Sequence, residues 1–283
     1  MTPCATDRGG PVFIVGSPRS GTTALAHALK QHPALFVSKE SYVVHQFYGN
    51  GRLRQVWEHN MNRVTPNWLR HEQVSYDELL IHLGRGIDSL FSSRADGRRW
   101  VDQTPLYTPM IADLAVMFPT ASFLHLVRDG RAVVRSMGRF ADVFDHDARA
   151  AMLADEIPAW TDDAVAACET WHDWVHTASE FAQHHPDRCL EVRNEDLVAD
   201  PARGFARIQT FLDLDPHPGS ATAWGTRRIN SSFRDVAERP ADQWDDWPGD
   251  LRKIFVEHAG DSLIRHRYAD RAELDAWAVA ADG

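Results

Sequence analysis

One stretch near the amino terminus restricts the fold more than any other. In FIVGSPRSGTTALAHAL an apolar run, Val12 to Val15, stops at Gly16, and a helical pattern starts at Thr22. Leu25, Ala28 and Leu29 share one face of that pattern, which His32-Pro33 ends. Strand, glycine-rich turn and helix therefore follow one another without a spare residue. A chain built this way places successive backbone amides and the positive end of a helix dipole at one point. That point suits an anion.

The loop is Gly16-Ser17-Pro18-Arg19-Ser20-Gly21-Thr22-Thr23. Its glycines have the spacing of the Walker nucleotide loop, but Thr22 stands where that loop carries lysine. An NTPase or kinase uses that lysine, with Mg²⁺, on the outer phosphates. Arg19 inside the loop suits a smaller anionic group. Arg19, Ser20, Gly21, Thr22 and Thr23 are the candidate anion-binding residues, and a plain glycine turn is the competing reading.

Short apolar runs alternate with amphipathic segments along the rest of the chain, the pattern of an α/β fold with a central parallel sheet flanked by helices. Strands are expected around Trp100-Val101, over Ser122 to Val127, and over Arg188 to Val192. Helices are expected over Tyr76 to Phe91, Thr108 to Met117, Asp129 to Phe140, Asp162 to Ala182, from Pro201, and over Asp250 to His258. No repeat or linker divides the 283 residues, so 1–283 reads as one domain. The stretches 41–100 and 141–175 read as insertions. Thirty Lys+Arg against forty Asp+Glu give a net charge of −10, which argues against nucleic acid or an anionic membrane as partner. Cys4, Cys168 and Cys189 show no metal or disulfide spacing, and no segment has the length of a membrane span. The expectation is a cytoplasmic protein with no metal. Most of its ten tryptophans are expected in the core.

A second candidate anchor lies in FLHLVRDGRAVVRSM. A buried strand delivers Arg128 at its carboxyl end, and Ser136 follows eight residues later on the next helix. Ligands gather at the carboxyl ends of strands in open parallel sheets, so Arg128 opens onto the same edge as the glycine loop. Together these segments resemble the sulfotransferases that use PAPS (3′-phosphoadenosine 5′-phosphosulfate). GSPRSGTT is similar to that family's 5′-phosphosulfate loop, within 11–48. FLHLVRDGRAVVRSM, within 99–140, is similar to its 3′-phosphate element, in which the Arg and the Ser hold the 3′-phosphate. VRNEDLVADPARGFARIQTFLDL resembles its later strand-helix element. The resemblance implies a nucleotide-loop-like sulfotransferase fold, PAPS as co-substrate, PAP as product, and no metal requirement. It also implies that the insertions 41–100 and 141–175, which it leaves unmatched, lie on the acceptor side.

The acceptor hydroxyl needs a base. The cytosolic aryl and steroid members carry a histidine in K-T-H-L-P, whereas Gln103-Thr104-Pro105-Leu106 here has none. The heparan and tyrosyl-protein branches use a glutamate shortly after the first helix, and HPALFVSKESYVVHQFY puts Glu40 there. Glu40 is thus the candidate base and, with Arg19, the candidate catalytic pair. An ion pair of Glu40 with Lys39 is the structural alternative; His45 and Asp102 are the reserve bases. Gln103 replaces a lysine found in many members, Asn194 replaces an adenine-side tyrosine, and Arg227 and Arg228 near Asn230 are candidates to close over the 3′-phosphate. The leading reading is sulfuryl transfer to a hydroxyl of a small-molecule or glycolipid acceptor. A small-molecule kinase and a noncatalytic nucleotide-binding protein are the alternatives.

Overall fold

The computed structural model describes residues 9–38, 40–49, 51–65, 67–139, 158–226 and 247–279. Five strands form one sheet: β1 (Val12–Val15), β2 (Leu35–Val37), β3 (Arg99–Gln103), β4 (Ser122–Val127) and β5 (Cys189–Arg193). Their order across the sheet is β2-β3-β1-β4-β5. All four pairings are parallel. The chain leaves β1 toward β2 and β3 on one side and β4 and β5 on the other. The carboxyl end of β1 is therefore the topological switch point, where such sheets open a crevice.

Because side chains alternate along a strand, β1 feeds two cores. Val12 and Ile14 pack with Leu25 and Leu29 of helix Thr22–Leu29 and with Phe205 and Ile208 of helix Pro201–Phe211. Phe13 and Val15 face the opposite layer, with Leu80 of helix Tyr76–Ala95 and Leu114 of helix Ile111–Met117. A third cluster joins Val127 and Val133 to helix Ala164–His184 and helix Gly249–Arg265 around Trp171, Val175 and Phe255.

The expected strands are all present within a residue or two. Three differences have physical causes. The helix expected from Thr108 begins instead as a 3₁₀ turn, Pro105–Met110, and becomes α-helical only at Ile111; Pro109 inside it has no N–H to donate. β2 escaped the sequence reading because three residues are too few to show a period, and its partner β3 supplies the evidence for it. The last helix runs to Arg265, because Phe255, Ala259 and Leu263 continue its buried stripe, and another helix follows at Arg271–Val279. Trp100, Trp171 and Trp247 are core, while Trp68 is exposed.

Candidate active site

The glycine loop turns where the sheet needs it to turn. Gly16 has φ 151°, and a Cβ there would lie 2.5 Å from the Leu126 carbonyl oxygen of β4. Its N–H donates to Thr108 Oγ1 at 2.9 Å, so the turn after β3 secures the end of β1. Gly21, at φ 100°, ends the loop as the helix N-cap without a side-chain cap. The first amides of helix Thr22–Leu29 are thus left to point at whatever the loop holds. Asn194, at the carboxyl end of β5, donates from Nδ2 to Ser20 O at 3.0 Å and packs over Gly21. In this chain Asn194 holds the loop closed.

Arg19 adopts φ 69°, a left-handed conformation that costs a non-glycine residue about 1–3 kcal/mol. It aims the side chain across the crevice, where Arg19 Nε donates to Ser136 Oγ at 3.1 Å. Arg128 Nη1 donates back to Arg19 O at 3.2 Å. The two anchors found separately in the sequence therefore meet. Burial, and then the neighbouring Arg128, pushes the Arg19 guanidinium below its ordinary range; burial does the same to Arg128 against the pull of Glu195 and Asp129. Two cations held side by side in a half-buried crevice are stabilised by an anion between them. Ser20 Oγ, fully buried in the same loop, has no hydrogen-bond partner among the described residues. A buried hydroxyl left unpaired is costly, and a phosphate or sulfate oxygen would satisfy it.

The Arg128 element is braced from behind. Asp129 caps helix Gly130–Gly138 through Arg131 N at 2.9 Å, and its own N–H donates to Glu195 Oε1 at 3.0 Å. Tyr268 OH donates to the other Glu195 oxygen at 2.7 Å. Trp171 Nε1 reaches Arg128 O at 3.3 Å, and its ring lies 2.6 Å from where a Cβ on Gly130 would sit.

A profile of the sulfotransferase family matches residues 11–218. The chain belongs to that family. It is similar to protein-tyrosine sulfotransferase A of Caenorhabditis elegans, 29% identical over 210 residues, covering 72% of this chain and 50% of that one. Protein-tyrosine sulfotransferase 1 of Danio rerio is 25% identical over 207 residues, covering 72% and 53%. Nodulation protein NoeE of Sinorhizobium fredii is 29% identical over 219 residues, covering 72% and 50%. The chain spans about half the length of these curated relatives. Among solved structures, the sulfotransferase domain of the Synechococcus PCC 7002 olefin synthase superposes with TM-score 0.53 at 21% identity, covering 92% of this chain and 97% of that one. Mouse sulfotransferase SULT7A1, complexed with PAP, gives TM-score 0.53 at 13% identity, covering 92% and 89%. These two share the fold.

Within this sulfotransferase fold, Glu40 lies just past β2, next to the end of β3. Gln103 Nε2 donates to Glu40 Oε1 at 3.3 Å and to Thr22 Oγ1 at 3.1 Å, so a single amide links the candidate base to the anion loop. Tyr42 OH donates to Glu40 Oε2 at 2.5 Å. Gln103, the departure from the family noted above, makes the link to the loop, and nothing in the sequence pattern marks Tyr42 as the partner of Glu40. Asp102 is elsewhere: it is buried on the opposite face of β3, where Thr104 Oγ1 at 3.0 Å, Tyr107 OH at 3.2 Å and Ser41 Oγ all donate to it. His45 is half-buried on helix Val43–Tyr48. Lys39, Arg227, Arg228, Asn230 and residues 141–157 of the 141–175 stretch lie outside the described residues. Among the described residues no helix is long and apolar enough to cross a membrane, and no group of three or more His, Cys, Asp or Glu side chains is placed to hold a metal ion.

Proposed function

We propose that this chain transfers the sulfuryl group of PAPS to a hydroxyl of a small-molecule or glycolipid acceptor and releases PAP. One observation carries the reading: Arg19, Arg128 and Ser136 converge across more than a hundred residues of sequence onto a loop with an unpaired buried hydroxyl. PAPS supplies a sulfuryl group on a phosphate leaving group and a second phosphate on the ribose. The loop amides, Ser20, Thr22 and Thr23 would hold the 5′ group, with Arg19 countering the charge that grows on the leaving phosphate. Arg128 and Ser136 would hold the 3′-phosphate and separate PAPS from ATP. Glu40 would take the acceptor proton, with Gln103 fixing its distance from the loop. By analogy with phosphoryl transfer, positioning and charge stabilisation supply most of the rate.

Exposed Tyr42 on Glu40 favours an acceptor with apolar or aromatic surface, and the net charge of −10 disfavours a polyanionic one. The same proposal places the protein in the cytoplasm, supported by the two unpaired buried thiols Cys168 and Cys189.

Calorimetry with PAP, ADP and Mg-ATP tests this reading. PAP should bind most tightly, and Arg128→Ala should weaken it roughly 100-fold, the effect of removing a charged partner from a phosphate. Preference for Mg-ATP would replace the proposal with a small-molecule kinase. Binding of none of the three would favour a noncatalytic role.

A further inference from the structure

The Tyr42 hydroxyl donates its hydrogen bond to Glu40 Oε2, the contact a general base makes with the hydroxyl it deprotonates. The chain has five tyrosines, and the hydroxyl of each donates to a carboxylate. Tyr48 and Tyr76 donate to Asp113, Tyr107 to Asp102, and Tyr268 to Glu195. Those four are buried or half-buried inside the fold, and their carboxylates brace helices and strand ends. Tyr42 differs on every count. It is 38% exposed, its partner carboxylate is tied through Gln103 to Thr22 of the anion loop, and its backbone sits at φ 54°. A bulky residue holds that conformation only when its surroundings enforce it. The fold thus places one phenol on the carboxylate that, in the reading above, takes an acceptor's proton.

We propose that Tyr42 is an intramolecular acceptor, O-sulfated from PAPS when no external acceptor fills the site. The inference rests on the sulfotransferase reading given above. The Tyr42 phenol oxygen forms the new bond to sulfur while the bond between sulfur and the 5′-phosphate oxygen breaks. The electron pair of that bond leaves on the phosphate of PAP, and the phenol proton passes to Glu40. A phenol is neutral at pH 7, and partial burial with the adjacent Glu40 holds this one above its ordinary range, so its attack depends on that proton transfer. Tyrosine sulfate at this position would also occupy the acceptor's place, so the modified protein would be blocked toward external acceptors.

The test uses the full chain, PAPS carrying ³⁵S, and no added acceptor. Peptide mapping by mass spectrometry follows, and PAP binding by calorimetry checks the folding of every protein used. The expected result is label and a mass increment of one SO₃ on the peptide containing Tyr42, with none on the peptides of the other four tyrosines. Tyr42→Phe and Glu40→Gln should each lose that label. A protein that binds PAP yet leaves Tyr42 unlabelled overturns this inference and leaves the sulfotransferase reading standing. Label on Tyr42 that persists in Glu40→Gln overturns the geometry argued here. A protein that binds no PAP overturns both.

Discussion

Asp102 and Gln103 are neighbours on β3, and the pleat sends them to opposite faces of one sheet. Asp102 faces the aromatic layer around Phe13, its partner in register, and is enclosed by three hydroxyl donors. Gln103 faces the crevice and holds Thr22 and Glu40 with the two hydrogens of one amide. Both side chains are buried and polar, and both lie at the carboxyl end of a central strand. The difference is closure. Every oxygen of Asp102 already has partners, so that knot fastens the segment after β2 to the sheet. The Gln103 side leads through Thr22 to the glycine loop, with Arg19, Arg128 and the buried Ser20 hydroxyl, the groups proposed above to hold the anion. Burial of a carboxylate therefore does not by itself mark a base; what sets Glu40 apart is its link through Gln103 to the glycine loop.

Three substitutions bear on that contrast, and a fourth tests the packing behind Arg128. Glu40→Gln should cost the largest effect, roughly 10²–10⁴-fold in turnover of PAPS to PAP, while PAP binding stays intact. Equal loss in Asp102→Asn, with Glu40→Gln unimpaired, would reverse the assignment. Asp102→Ala should act on stability instead, lowering it by about 3 kcal/mol because the buried Thr104 and Tyr107 hydroxyls and the half-buried Ser41 hydroxyl lose their acceptor. Chemical denaturation measures this. Gly130→Ala drives a methyl into the Trp171 ring behind Arg128 and should cost about 1–3 kcal/mol. An unchanged melting temperature in Gly130→Ala would mean that Trp171 can give way.

The smallest effect is a pH slope. Burial pushes the Asp102 carboxyl above its ordinary range, against the pull of Ser41, Thr104 and Tyr107. The folded state then binds a proton more readily than the unfolded one. The stability this contributes is full below the unfolded value and is lost as pH rises through the folded one. Relative to Asp102→Asn, the native protein should lose stability between acid and neutral pH. A gain over that range, followed by melting temperature, would show that the three donors outweigh burial.

Much of the site was legible in the chain itself. The apolar run before Gly16 and the helical period after Thr22 specify a strand, a glycine loop and a helix, because local sterics need no distant partner. Ser122 to Val127 delivered Arg128 for the same reason, and Asp129 signalled the helix start that carries Ser136. Sulfotransferase membership follows from such ordered local motifs. Contacts between segments were not legible. No periodicity announces that a three-residue strand will dock beside β3, and only that docking brings Glu40 within reach of Gln103. The same holds for Asn194 folding over Ser20, for Arg19 finding Ser136, and for Tyr42 turning back onto Glu40. Asp102 and Glu40 were interchangeable as letters. The sheet separated them, because the two faces of a strand lead to different surroundings and strand pairing alone decides which face meets the crevice.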